Sequence, residues 1–299
     1  MGTAFRSGLV TFIGRPNVGK SILLNRLVGS KISITSSKPQ TTRFRILGIA
    51  TGAQTQAVYV DTPGLHPRGK TAMSRYMNRV ARDSLEGVDC VVLVITADGW
   101  REEDDHPLAL ARALRCPVIL ALNKIDRLKD RRALLPLIGQ SAAKLAFSDI
   151  VPVSAKNGEN MEALESAIHK HLPEQPPLYP PGQLTDRSER FLAAEFIREQ
   201  VFRISGQEVP YAAAVEVERF QRVKGMLHIS AVIWVEKEGQ KAILIGKGGE
   251  RMKKIGRGAR LAMERLFGSK VRLDLWVKVR EGWSQEERAL RSLGYNDRE

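Results

Sequence analysis

The chain has 299 residues, 27% of them charged and 43% hydrophobic, which suits two folded domains and excludes a disordered or fibrous chain. Its 47 Lys and Arg against 33 Asp and Glu leave a formal net charge of +14, the balance of a protein with a polyanionic partner. No apolar run approaches the ~18 residues of a membrane span, and strand-like sequence begins too soon after Met1 for a secretory signal, so a cytoplasmic location is expected.

The first predicted strand, 9–13, runs straight into GRPNVGKS at residues 14–21. The spacing G-x-x-x-x-G-K-S is that of a phosphate-binding loop, whose backbone N–H groups curl around a di- or triphosphate. Lys20 would reach the terminal phosphates, Ser21 would ligate Mg²⁺, and a helix over 20–28 would aim its positive end at them. Gly14, Arg15, Pro16, Asn17, Val18, Gly19, Lys20, Ser21 and Ile22 are the candidate contacts. The loop alone does not distinguish ATP from GTP.

Strands are predicted near 45–50 and 56–61, the second ending in DTPG. Asp61 there suits a hold on Mg²⁺ from behind its ligands, Gly64 can offer its N–H to a γ-phosphate, and Thr62 and Pro63 lie between them. A helix around 71–86, a strand at 90–96, a helix near 104–115 and a strand at 118–122 follow. Cys90 and Cys116 border the apolar runs and read as reduced core residues. The strand at 118–122 leads into NKID. Asp126 can accept from both N1–H and the exocyclic amine of guanine, a pair that adenine lacks, while Asn123 and Lys124 brace the loop and cover the base. After a helical stretch near 128–146 and a strand at 150–153 comes SAK, where Ser154, Ala155 and Lys156 could supply an N–H to the guanine oxygen. A helix at 159–171 closes the set. Alternating strands and helices predict an α/β domain with a mostly parallel sheet, its ligand at the strand ends. Four motifs in order at those ends select GTP.

Residues 173–183, PEQPPLYPPGQ, carry five prolines and read as a linker between domains at 1–172 and 184–299. Beyond it the pattern becomes α+β: a helix at 190–204, antiparallel strands at 211–220 and 227–239, a helix at 250–267 and a strand at 271–279. Met252, Ile255, Ala259, Met263 and Leu266 share one face of that last helix. Ahead of it stands ILIGKGGERMKKIG, a G-x-x-G turn entering a helix with six basic residues and one acidic residue over 247–260. Glycines there permit close approach of a phosphate backbone, so Ile245, Gly246, Lys247, Gly248, Gly249, Arg251, Lys253 and Lys254 are candidate RNA contacts.

The five motifs GRPNVGKS, SSKPQTTR, DTPG, NKID and SAK, with the G-x-x-G segment and the tail GWSQEERALRSLGY, resemble the Era-type GTPases within the translation-factor-related class. The resemblance spans essentially the whole chain. It implies a P-loop GTPase domain followed by a smaller α+β KH domain of type II, whose loop clamps single-stranded RNA. It implies that KPQTTRF, residues 38–44, is the first switch, with Thr42 rather than Thr41 joining Mg²⁺, and that Lys20, Thr42, Asp61 and Gly64 carry GTP hydrolysis. The RNA it implies is the 3′ end of 16S ribosomal RNA, the task maturation of the small (30S) ribosomal subunit, and the chain a monomer. Two residues depart from commoner patterns. Leu65 stands where Ras-like enzymes carry a water-orienting glutamine, which predicts slow intrinsic hydrolysis, and Ile22 stands where relatives carry Thr or Ser. Asn17 adds K⁺ as a further candidate cofactor, since relatives with this residue hold a monovalent cation near the phosphates. Two other readings remain open on sequence: a constitutive RNA-binding module with a structural nucleotide pocket, and a signalling GTPase in peripheral contact with the inner membrane. The second lacks a long amphipathic apolar helix.

Overall fold

Strands that are apolar at every position must be covered on both faces, and two runs in the first half of the chain have that character. The computed structural model describes residues 4–64, 71–206 and 209–295, which form two compact bodies. Among them, residues 4–33, 42–64 and 77–186 make the first body, and 34–41, 71–76, 187–206 and 209–295 the second.

The first body holds strands β1 (Arg6–Ile13), β2 (Ile46–Thr51), β3 (Thr55–Asp61), β4 (Cys90–Thr96), β5 (Val118–Asn123) and β6 (Asp149–Val153). They form one sheet of order β2-β3-β1-β4-β5-β6, antiparallel only between β2 and β3. β4 and β5 are the two runs buried throughout. The helices are α1 (Lys20–Val28), the part of α2 (Ala72–Asp83) from Met77 onward, α3 (Asp105–Ala113), α4 (Leu134–Ala142) and α5 (Met161–Lys170). Val91, Leu93 and Ile95 of β4 pack with Leu108 and Ala111 of α3 and Leu137 of α4. α1 and α5 touch each other; α1 lies against β2 and β3, and α5 against β5 and β6. The helical stretch expected at 128–146 is shorter, because Asp130 accepts from the Arg132 N–H at 2.9 Å and opens a single 3-10 turn before α4. Burial pushes the Cys90 thiol up to about 12, as befits a packed side chain rather than a reactive one.

The proline-rich stretch is strapped along this first body. Prolines offer no N–H, but their carbonyls accept: Ser7 N–H donates to Pro173 O at 3.1 Å and Ser7 Oγ to Pro176 O at 2.6 Å. Gln56 receives the N–H groups of Leu178 and Tyr179 at 2.7 and 2.9 Å. Farther on, the edge strand β2 donates Ile49 N–H to Leu184 O and Leu47 N–H to Asp186. The strap thereby covers an edge that would otherwise present open hydrogen-bonding groups.

In the second body α6 (Glu189–Ile204), β7 (Ala214–Val223), β8 (Met226–Val235), α7 (Glu238–Ile245), α8 (Glu250–Phe267), β9 (Val271–Val279) and α9 (Glu287–Ser292) follow in order. β7 pairs antiparallel and β9 parallel with β8, giving the order β7-β8-β9. α6 and α8 share the sheet's core with Ile229, Ala231 and Ile233, using Phe196, Ile197, Ile255, Ala259 and Met263. Ser188 opens α6 by accepting from Phe191 N–H at 3.2 Å. The strand expected to reach residue 239 stops at Val235. Gln240 accepts from the N–H groups of Glu236 and Lys237 at 2.9 and 3.1 Å, and these bonds cap α7 instead.

Candidate nucleotide site and nucleic-acid groove

Five of the six strands point the same way, so the loops after β1, β3, β5 and β6 gather at one edge of the sheet, where a doubly wound fold places its ligand. One asparagine ties three of them. Asn123 donates through Nδ2 to Val18 O at 2.7 Å and accepts through Oδ1 from Lys124 and Ala155 N–H at 2.8 and 3.0 Å. Position 19 must be glycine for this: its φ is +111°, and a Cβ there would sit 2.3 Å from Asn123 Nδ2. Lys124 donates to the carbonyl of Asn17, which lies exposed at φ 65°. Of the three N–H groups of the SAK turn, that of Ala155 is engaged with Asn123 and that of Ser154 with the Glu159 carbonyl.

Asp126 is oriented from the neighbouring strand end. Ser154 Oγ accepts from Asn157 N–H at 3.2 Å, so its own proton is directed at Asp126 Oδ1, 2.7 Å away. That bond leaves one lone pair on Oδ1 and both on Oδ2, so each oxygen can still accept from one of guanine's two donors. A residue that sequence motifs did not flag completes this corner. Arg26 of α1 donates to the carbonyls of Lys156 and Ala155 at 2.7 and 3.3 Å and pins the SAK turn.

Around the phosphate loop, Lys20 is buried, and its ammonium donates to Gly14 O and Arg15 O at 2.7 and 3.0 Å. Burial pulls its pKa down to about 8 against the attraction of Asp61. Arg15 turns away from the loop: its guanidinium pairs with buried Asp104 at 3.1 Å and donates to Thr96 Oγ1 at 2.6 Å. Its side chain is thereby withdrawn from the loop, to which Arg15 contributes its backbone alone. Pro16 packs by the site where a Cβ on Gly64 would lie, and Thr62 is buried with its hydroxyl toward Phe12 O. Ile22 is 40% exposed, and its N–H donates to Gly19 O. Leu65 lies outside the described residues.

Asp61 is fully buried at the end of β3, and its Oδ2 receives Ser21 Oγ at 2.7 Å and Thr42 Oγ1 at 3.2 Å. Ser33, which no motif marked, donates to the same oxygen. Burial raises the carboxyl's pKa; these hydroxyls and Lys20 oppose that shift. Among the described residues, Oδ1 has no hydrogen-bond partner. Two hydroxyls beside a carboxylate with an unpartnered buried oxygen are hard donors of the kind that suits Mg²⁺ and its retained waters. Thr41, by contrast, bonds Ser36 and the Lys38 carbonyl.

In the second body the G-x-x-G turn joins α7 to α8. A groove of about 540 Å³ beside it has an apolar floor of Ile245, Met252, Leu273 and Leu275 and a basic rim of Lys253, Arg257 and Arg260; Gly249 and Gly256 complete its lining. Of the sequence-named residues, Ile245, Gly249 and Lys253 line it, while Lys247 and Gly248 stand exposed at the turn. Gly246 has φ +71°, and Arg251 beside it donates to the Ile243 carbonyl at 3.0 Å, bracing the turn. Lys254 is exposed and outside the groove lining. Arg257, Arg260, Leu273 and Leu275 come to the groove only through the packing of α8 on β9.

Comparison with known proteins places both bodies. The family model described as "50S ribosome-binding GTPase" matches residues 9–124, and the KH domain model matches 208–284. GTPase Era of Stenotrophomonas maltophilia (strain R551-3) is 56% identical over 98% of both chains, and GTPase Era of Xanthomonas oryzae pv. oryzae (strain MAFF 311018) is 56% identical over 97% of both. Among solved structures, Era in complex with MgGDPNP and nucleotides 1506–1542 of 16S ribosomal RNA superposes with a TM-score of 0.93 at 39% identity, covering 97% of this chain and 99% of that one. A point variant of Aquifex aeolicus Era bound to GDP·AlF4⁻ gives 0.94 at 39% identity with the same coverage. With a P-loop GTPase domain followed by a KH domain, and relatives matched over nearly their full length, the chain belongs to the Era GTPase family.

Proposed function

We propose that this chain is a GTP-hydrolysing switch that binds the single-stranded 3′ end of 16S ribosomal RNA and acts, as a cytoplasmic monomer, in small-subunit maturation. The observation that carries the reading is the convergence of Asn123, Ser154 and Asp126 beside the oxygen cluster of Ser21, Thr42 and Asp61. The first set reads guanine and the second suits a divalent cation on the phosphates. The solved Era complex with MgGDPNP and a 16S ribosomal RNA segment supports carrying both ligands to this chain. No helix among the described residues is long and apolar enough to cross a membrane.

Each residue has a task that follows from its setting. Lys20, desolvated and already donating to two carbonyls, exchanges them for β- and γ-phosphate oxygens. Ser21 and Thr42 would hold Mg²⁺ and Asp61 would accept from its waters. The ion, when bound, neutralises charge that builds on the phosphates in the transition state. Gly64 offers its N–H to the γ-phosphate. Crosslinking to RNA with GTP, GDP and no nucleotide, followed by sequencing of the bound fragments, tests the whole reading. Fragments unrelated to the 16S 3′ end in every state would overturn it.

The Lys20 setting predicts a pH dependence. The free protein loses the ammonium proton as pH rises through about 8, whereas a bound polyphosphate favours the charged form. Nucleotide binding above that pH therefore takes up a proton, and affinity falls by up to about tenfold per pH unit. Calorimetry in buffers of different ionisation heat measures that uptake, which Lys20→Met should abolish.

Hydrolysis is expected to run faster in K⁺ than in Na⁺ at equal ionic strength. Asn17 stands exposed in a left-handed conformation within the phosphate loop, and the residue after DTPG is Leu65, which cannot orient water. A cation seated by Asn17 would supply the missing positive charge, worth at least about tenfold, on the scale of one hydrogen bond made in the transition state. Steady-state rates in the two salts check this, and Asn17→Ala should make them equal.

A further inference from the structure

Three hydroxyls converge on one oxygen of Asp61, and they are not equivalent. Ser21 and Thr42 have a second task as the proposed magnesium ligands. Ser33 has no such task. It is fully buried, and its backbone is locked by a side chain of α1: Asn25 accepts through Oδ1 from the N–H groups of Ile32 and Ser33 at 3.0 and 2.9 Å, and donates through Nδ2 to the Ser33 carbonyl at 2.7 Å. Both ends of the amide are spent on two consecutive residues, which leaves the Ser33 hydroxyl directed at Asp61 Oδ2. Asn25 lies four residues after Ser21, on the same face of α1. One helix thus sets two hydroxyls against the same carboxylate, one directly and one through a loop.

We propose that Ser33, held by Asn25, is a positioning residue for magnesium: its hydroxyl pins Oδ2 of Asp61, leaving Oδ1 as the acceptor for the ion's waters. This rests on the magnesium reading of Ser21, Thr42 and Asp61. A carboxylate turns freely about its last bond unless something holds one oxygen. A donor that never joins the metal can hold it whether or not the ligands are engaged. Groups that orient metal-binding residues from behind in this way commonly set affinity by one to two orders of magnitude.

The test is the release of fluorescent GDP as free Mg²⁺ is titrated. In Ser33→Ala, which keeps Cβ and removes one buried atom, the midpoint should rise by about tenfold or more, while GDP affinity in excess chelator stays at the wild-type value. Asn25→Ala should move the midpoint the same way, and the double variant no farther than the larger single shift. Unmoved midpoints in both single variants, or an equal loss of affinity in chelator, would overturn the role. Ser21→Ala separates the two levels. If its midpoint rises while that of Ser33→Ala does not, only the Ser33 role fails; if neither moves, the magnesium reading itself fails.

Discussion

Asp126→Asn is expected to lower GDP affinity by about two to four orders of magnitude, the loss of two charge-assisted hydrogen bonds at roughly 1.5–3 kcal/mol each. The same change should confer binding of xanthine nucleotides. Ser154 decides how the new amide is oriented. Its proton is committed to Oδ1 at 2.7 Å because its oxygen already accepts from Asn157 N–H. The amide oxygen takes that place and the NH2 group faces the base, where it donates to the 2-oxo group of xanthine. Competition of GDP and XDP for the fluorescent nucleotide measures the exchange of preference. Unchanged guanine preference would remove Asp126 from base recognition.

The second large effect belongs to the other body. Gly248→Asp should weaken RNA binding by roughly five- to a thousandfold, because a carboxylate close to a phosphate costs about 1–4 kcal/mol between full and partial hydration. The fold should tolerate it. Gly248 has φ +59°, a region that strains an L side chain but that Asp and Asn enter more readily than most, and a Cβ there meets nothing within 4 Å. Gly248→Asn is therefore the neutral control and should bind nearly as the wild type does. Filter binding to a 16S 3′-end oligonucleotide reads the effect, while fluorescent-GDP titration should be unchanged. Lys253→Ala should act differently, flattening the salt dependence by ~0.7, the slope carried by one neutralised phosphate of a single strand. Lys254→Ala should do less, because Lys254 does not line the groove. Wild-type RNA affinity in Gly248→Asp would remove the G-x-x-G turn from the RNA contact.

The guanine and phosphate motifs were legible in the sequence because each is a contiguous turn whose backbone path admits few residue types. Gly19 shows why: its φ and the 2.3 Å approach of Asn123 exclude any side chain, so the constraint is written at the position itself. The alternation of buried parallel strands with helices was legible for a similar reason, since β4 and β5, buried on both faces, are apolar up to the polar residue that ends each, Thr96 and Asn123. α7 was not. Eight residues after an apolar strand carry no periodicity of their own, and the Gln240 cap that ends the strand is an ordinary polar residue in sequence.

The sequence by itself thus determined the class of chemistry, the order of the motifs and the two kinds of domain, because these depend on local backbone geometry and on periodic burial. Only the tertiary structure decided what supports the site. The Arg15 side chain is turned from the glycine loop by Asp104, far along the chain, and Arg26 pins a turn that begins at Ser154. The proline-rich stretch lies along β1 and the edge of β2, and Ser33 reaches Asp61 across 28 residues. Such contacts are single hydrogen bonds between elements that meet only when the sheet assembles. They impose no spacing and no repeat on the chain, so nothing in the order of residues announces them before the fold brings the partners together.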